Sequence, residues 1–289
     1  MSAYFIHLLI LVGIYLILAL SLQLAVGFTG LLNLGHVAFY CVGAYVSALL
    51  SLLGWPFWLC FILAGIVAML FGFLLSLPTN KLKGDYLALA TLGFSFVIYA
   101  LALNWTSLTN GPLGLPGIPK PVIFGFSFLN NFSFLTLIFI VVLISYLIIR
   151  KITISPFGKV LEAVRDNELA VRILGKNTFK IKSVALGTSA FFAGLAGSLY
   201  ASYITFIDPS SFTLLQLMPI ICIVVIGGLA SLKGTIMATF ILVLLPEPLR
   251  FIGFPSSIVG PMRQIIYALV LLLILIYKPK GFYGRIKLE

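Results

Sequence analysis

Eleven of the twenty-five charged residues in this chain fall between positions 150 and 182, although only 9% of its 289 residues are charged. Residues 158–177, GKVLEAVRDNELAVRILGKN, hold seven of them. Glu162, Asp166 and Glu168 alternate there with Lys159, Arg165 and Arg172. Phe157, Val160, Leu161 and Val164 recur at i, i+3, i+4 and i+7, the spacing of one helical face. Pro156 suits the first position of a helix, and Asp166 or Asn167 can cap the start of a second. Leu169, Val171, Ile173 and Leu174 continue the apolar pattern, and Gly175 suits its end. The spacing therefore predicts one or two short amphipathic helices. The chemistry open to them is docking. A mixed-sign polar face beside a narrow apolar stripe fits a groove on a protein. The alternative, a helix lying on anionic lipid, is usually basic across its whole polar face.

Other chemistry finds little to stand on. No GxxxxGK[ST] occurs: Gly158-Lys159 is followed by Val and Gly175-Lys176 by Asn, so the chain has no phosphate cradle of the usual kind. His7 and His36 are far apart in sequence, with no nearby carboxylate to complete a metal site. There is no HExxH and no GxSxG, no TVGYG filter and no arginine ladder. Asp208, Glu247, Arg250 and Arg263 fall near predicted outer ends of apolar segments, so no carboxylate is placed deep enough to carry proton or sodium coupling. The net charge of +11 resides mostly in short connections and the tail. That is the positive-inside pattern, and no aromatic–basic interleaving points to nucleic acid. Cys41, Cys60 and Cys222 lie in apolar runs without CxxC spacing and read as buried free thiols.

The elements that must position the charged stretch are apolar. The chain is 62% hydrophobic, against about 45–50% for a soluble domain. Several runs approach the roughly 20 residues that cross a bilayer as helix, and they do not alternate as barrel strands would. The fold class expected is all-α: a polytopic helical membrane protein forming one transmembrane domain over 1–289. Nine segments are read, at about 4–26, 36–54, 57–79, 85–103, 133–149, 183–204, 212–229, 235–253 and 263–277. The first reads as a retained span, because it has no basic leader region and no small-residue cleavage site. Lys81, Lys83, the basic residues of 150–182, Lys233 and the tail residues Lys278, Lys280, Arg285 and Lys287 share one side if there are nine spans. Only Lys120, Arg250 and Arg263 fall on the other, so 150–182 and the C-terminus are expected to be cytoplasmic. Residues 27–35, GFTGLLNLG, could instead form a re-entrant or broken helix buried against its neighbours, giving eight or ten spans. The outer loop, about 104–131, is too rich in Gly and Pro for a regular helix, and loops of that length are often functional.

The motifs themselves resemble a known family. GLLNLGHVAFYCVGAYVSALL (30–50), KGDYLALATLGF (83–94), LTNGPLGLPGIP (108–119) and EAVRDNELAVRILGKNTFKIKSVALGTSAFFAGLAGSLYA (162–201) occur in order. GGLASLKGTIMATFILVLLPEPLR (227–250) and RQIIYALVLLLILIYKPKGFYG (263–284) complete the series. Together these make the chain similar to permease subunits of the high-affinity branched-chain amino acid ABC importers, of the LivM-like branch. The resemblance implies a bacterial inner (plasma) membrane location and several partners: a homologous second permease, two cassette ATPases and a substrate-binding protein. It implies that Glu162, Arg165, Asp166, Asn167 and Glu168 contact the ATPase, in an element bounded by Gly158 and Gly175. ATP hydrolysis would belong to the partners, and no cofactor is expected. Two positions depart from the family pattern, Ser95-Phe96-Val97 and Gln216, where acidic residues are more usual. Related branches carry urea, short amides or sugars, and a self-sufficient channel is a further alternative.

A zwitterion with an apolar side chain needs room, a few polar groups and no strong fixed charge along its path. Glycine supplies room, and a broken helix exposes backbone groups to a cavity. The candidate path residues are therefore Asn33, Gly35, His36, Gly43, Thr91, Gly93, Gly227 and Gly228, with Gly194 and Gly197 beside them. Asn110 and Gly111 in the outer loop are the candidates for contact with the binding protein.

Overall fold

In hydrocarbon every backbone N–H and C=O must be satisfied within the protein, so an apolar run has little choice but helix. The computed structural model of the chain describes residues 2–79, 81–82, 84–123, 126–128, 130–248, 256–278 and 280–284. Lys83, Arg250, Arg285 and Lys287, used above for orientation, lie outside these residues, as does the eighth segment beyond 248. Each of the nine apolar segments coincides with a helix. The first four are α1 (Ser2–Gln23), α2 (His36–Leu52), α3 (Phe57–Thr79) and α4 (Gly84–Asn104), and a π-helical turn, Leu24–Phe28, prolongs α1. The outer loop carries a four-residue α5 (Thr106–Thr109). It also forms β1 (Leu115–Pro116) and a small hairpin of β2 (Val122–Ile123) and β3 (Phe126–Ser127). Then follow α6 (Asn131–Ile154), α7 (Pro156–Asp166), α8 (Glu168–Ile173) and α9 (Thr178–Ile204). After β4 (Phe206–Ile207) come α10 (Leu214–Gly227), α11 (Leu232–Leu244) and α12 (Ser256–Tyr277).

Among the described residues, six helical stretches are long and apolar enough to cross a membrane: Ala3–Phe28, α3, α4, α6, α9 and Pro209–Gly227. The apolar helices α2, α11 and Gly260–Ile274 are shorter. α9 is the central helix and is mostly buried, while α4 and α6 leave most of their surface exposed. Its packing depends on small residues. A Cβ on Gly43 would stand 2.3 Å from the Cα of Gly194, and one on Gly194 would stand 2.5 Å from the Cβ of Ala68. One on Gly197 would reach within 2.2 Å of the Tyr40 carbonyl oxygen. α2, α3 and α9 thus meet backbone to backbone, the close approach that small residues permit in membranes. Ser47 and Ser198 add a buried hydroxyl pair at 2.7 Å.

α2 is short because its first turn begins well inside the bundle. Residues 29–35 lead into it as irregular backbone, most of it buried. Of GFTGLLNLG, Gly27 and Phe28 end the π-helical turn, and the rest is an irregular, non-helical entry to α2. Its polar groups are satisfied largely by side chains of α4 and of the stretch itself. Leu34 N–H donates to Thr91 Oγ1 (3.0 Å), and the Thr91 hydroxyl lies 3.3 Å from the Leu32 carbonyl oxygen. Ser95 Oγ donates to the Leu34 carbonyl (3.2 Å), and Gly35 N–H to Asn33 Oδ1 (3.0 Å). Irregular backbone at membrane depth is tolerated where it is covered in this way.

Candidate docking site and membrane path

α7 and α8 form at the positions the sequence marks. Pro156 opens α7, and Ser155 caps it by accepting from Gly158 N–H. Asn167 caps α8 through Ala170 N–H (3.0 Å). Gly175 follows α8 at φ 76°, a conformation that suits glycine. Asn177 then caps α9, accepting from Lys180 N–H at 3.1 Å. The two short helices sit at the end of the bundle where α6 finishes and α9 starts. The last turn of α1 and the described tail residues share that end. Gln23 Nε2 donates to the Gly228 carbonyl at 2.8 Å, while Phe282 N–H donates to Ile226 O (2.8 Å) and Tyr283 N–H to Gly227 O (3.2 Å).

Of the five polar residues expected to contact a partner, two direct their side chains to groups of the chain itself. Arg165 turns inward. Its side chain is 16% exposed, and Nη1 donates to the Gly27 carbonyl oxygen at 2.9 Å. Gly30 lies beneath it at φ 72°, and a Cβ there would stand 2.7 Å from Arg165 Cγ. Glu168 turns inward as well. Lys182 Nζ donates to its Oε2 at 2.6 Å and Arg172 Nη2 to its Oε1 at 2.6 Å, while Thr178 Oγ1 donates to Oε1 at 3.1 Å. Burial pushes the Glu168 carboxyl up. The bond and charge of Lys182, with the bonds from Thr178 and Arg172, more than offset this and hold it below its usual range. The physical reason for both reversals is the same. A charge close to the bundle is costly unless paired, so these two side chains pair inward. Glu162 is half-buried, Asp166 and Asn167 are exposed, and Gly158 is buried against the Thr153 carbonyl.

Apolar side chains also face outward, among exposed polar ones. Leu169 is exposed, and Ile173 and Leu174 are exposed by 86% and 78%; of the predicted α8 stripe only Val171 is buried. The type of these residues was legible in the sequence. Their direction was not, because α8 turns its greasy side away from the bundle.

The candidate path residues divide by environment. Asn33, Gly35 and Thr91 hold the entry to α2. His36 is fully buried, with Nε2 3.0 Å from Ser21 Oγ and 3.1 Å from the Leu18 carbonyl oxygen. Gly43 is spent on helix contact with Gly194, as is Gly197 on the backbone of α2. Gly227 packs on Gly234, and Gly228, at φ 96°, packs on Gly284. Gly93 is exposed, with nothing within 4 Å of a Cβ placed there. In the outer loop Asn110 is exposed, but Gly111 is buried, its Cβ position 2.7 Å from the Leu103 carbonyl oxygen. Trp105, Leu108 and Leu113 beside it are exposed. β1 pairs antiparallel with β4, tying this loop to the exit of α9. Among the described residues no three His, Cys, Asp or Glu side chains converge as metal ligands.

A family model described as the permease component of the branched-chain amino acid transport system matches residues 4–275. The chain belongs to that family. The high-affinity branched-chain amino acid transport system permease proteins LivM of Salmonella typhimurium and Escherichia coli K12 are each 38% identical over 293 residues. Those alignments cover 93% of this chain and 67% of each relative. The probable branched-chain amino acid transport permease protein LivM of Methanocaldococcus jannaschii is 26% identical over 313 residues, 93% of this chain and 90% of that one. The autoinducer 2 import system permease protein LsrC of Escherichia coli O9:H4 is 28% identical over 196 residues, 65% of this chain and 54% of that one. No solved structure matches the chain. These relatives are transport permeases, not enzymes, and the permease described here is a multi-pass helical membrane protein.

Proposed function

We propose that this permease is the membrane-spanning subunit of an ATP-driven importer of branched-chain amino acids, worked from the cytoplasm by separate ATPases that dock on α7 and α8. One observation carries the reading: the exposed apolar knuckle Leu169–Ile173–Leu174 stands on a base anchored inward by Arg165 and Glu168. The knuckle offers apolar anchors of the kind a groove accepts. The base ties whatever grips it to α1 through Gly27 and to α9 through Lys182. The sequence has no nucleotide cradle of its own, so the energy must come from the docked partner. The LivM relatives support the substrate class. A second permease, two ATPases and a substrate-binding protein complete the assembly in the bacterial inner membrane, with α7, α8 and the C-terminus inside. Asp166 and Asn167 add polar contacts beside the knuckle, and Asn110 with Trp105 and Leu113 meets the binding protein outside.

Co-purification with the ATPases tests this. Ile173→Glu and Leu174→Glu are expected to abolish it while leaving the permease in the membrane fraction. Undiminished co-purification by both variants would refute the assignment of the docking surface. Vigorous amino acid flux into liposomes holding this chain alone would favour a self-sufficient channel instead.

A further inference from the structure

At the end of the bundle opposite α7 and α8, a polar cavity of about 280 Å³ lies among α1, α9, α10, α11 and α12. Its polar lining includes His7 and Tyr15 of α1, Gln216 of α10, Glu247 just beyond α11, and Arg263 and Tyr267 of α12, with the hydroxyl residues Tyr40, Tyr200 and Ser211 beside them. Its other wall is aliphatic: Leu11, Leu18, Ile220, Ile223 and Leu242. Leu18 lies about 16 Å further along α1 than His7, at 1.5 Å per residue, so the cavity runs from a charged end to a greasy floor. None of the candidate path residues read from the sequence lines it; Gln216, noted above as a departure from the family pattern, does.

The charged end is unusual. Arg263 Nη2 donates to Glu247 Oε1 at 3.0 Å, and the Tyr4 hydroxyl also donates to Glu247. Arg263 Nε is buried and, among the described residues, has no hydrogen-bond partner. Tyr15 donates to Gln216 Oε1 at 3.3 Å, a long bond that leaves that oxygen capacity for another donor.

We propose that this cavity binds one small zwitterionic amino acid with an aliphatic side chain. Its carboxylate lies against the partly exposed Arg263 guanidinium, and its ammonium lies against Glu247 and Gln216. Its side chain reaches Ile220, Ile223 and Leu242. The chemistry selects this class. A bare anion would meet the Glu247 carboxylate, and a bare cation the Arg263 guanidinium. An aliphatic side chain, unlike a ring of hydroxyls, loses no hydrogen bonds against Ile220, Ile223 and Leu242. The volume is just below the roughly 300–1,000 Å³ usual for small-molecule sites, so it suits one small ligand. Because each charge already has a protein partner, the ligand gains little by joining the pair. Weak binding is what a conduit needs if it is to release its cargo. The inference rests on the amino acid reading above, and adds that the site lies inside one subunit, not between two.

The test uses the complete importer in liposomes, with its ATPases and binding protein, measuring uptake of labelled L-leucine and L-alanine. Ile223→Phe narrows the floor and should lower the leucine-to-alanine ratio by at least about tenfold, the discrimination of roughly one or two methylenes in an apolar pocket. Arg263→Gln should raise KM for both substrates by about tenfold or more, since a charge-assisted bond is lost. Arg263→Lys should restore part of it. An unchanged ratio in Ile223→Phe together with an unchanged KM in Arg263→Gln would overturn the site while leaving the importer reading intact. Should Arg263→Gln fail to assemble, the ratio in Ile223→Phe decides alone. Absence of leucine uptake by the unaltered assembly would overturn both.

Discussion

Arg165→Ala separates gripping from transmission. The Arg165 side chain is directed away from the proposed ATPase surface, toward the Gly27 carbonyl 2.9 Å away. Hydrogen bonds to charged groups contribute about 1.5–3 kcal/mol. The bond to Asp166 contributes little, because that carboxylate is 67% exposed and its attraction is screened. Truncation also empties the space over Gly30. The link between α7 and the end of α1 should therefore weaken by about 2–3 kcal/mol, or roughly 30–150-fold in the linked population. ATPase co-purification should persist, because Leu169, Ile173 and Leu174 are untouched. Leucine uptake in liposomes should fall while ATP hydrolysis continues, an uncoupled phenotype. Arg165→Lys, which keeps one donor, should recover part of the uptake. Full transport by Arg165→Ala would refute the idea that this bond carries the stroke. Loss of co-purification would show instead that Arg165 touches the ATPase.

Thr91→Val should destabilise the detergent-solubilised permease by about 1–3 kcal/mol, read as a drop in thermal midpoint, because Leu34 N–H loses its acceptor inside the membrane. Gly43→Leu should prevent stable assembly of α2 on α9, since its nearest neighbour is backbone that cannot step aside; Gly93→Ala, with open space around it, should be neutral in the same assay. Lys182→Met should cost roughly 3 kcal/mol, the lower end for breaking a buried pair, because Arg172 and Thr178 still serve Glu168. The Glu168 carboxyl is held below its ordinary value of 4.5, so its stabilisation is fully present above that pH and is lost as pH falls through the lower folded value. Limited proteolysis of 150–182 should therefore accelerate in strong acid in the unaltered protein, and Glu168→Gln should flatten that part of the profile.

Much of the architecture was legible because it follows from composition and punctuation. Among the described residues the apolar runs are helical, and Pro156, Asn167 and Gly175 fall where α7 and α8 start or stop. The direction of side chains was not legible. Helical spacing places Arg165 and Glu168 on a polar face, but their partners, Gly27 and Lys182, are remote in sequence or lie on another helix. Gly43 and Gly194 looked like room for cargo because glycine reads the same whether space is left open or filled by a neighbouring backbone. The charged cavity was missed for a related reason. Glu247 follows α11 and Arg263 lies in α12, and only the unexpected amide at Gln216 hinted that this wall is special.

The hydroxyl-held entry to α2 has a mechanical consequence. A helix that bends must sever ladder bonds in series, each tied to the next. Residues 29–35 are fastened instead by a handful of separate clasps, with Thr91 and Ser95 reaching across from α4. Such fastenings can be traded one at a time, like fingers shifting on a rail, while α1 and α2 keep their own geometry. A tug arriving at Gly27 thus meets a compliant joint placed beside a stiff three-helix core.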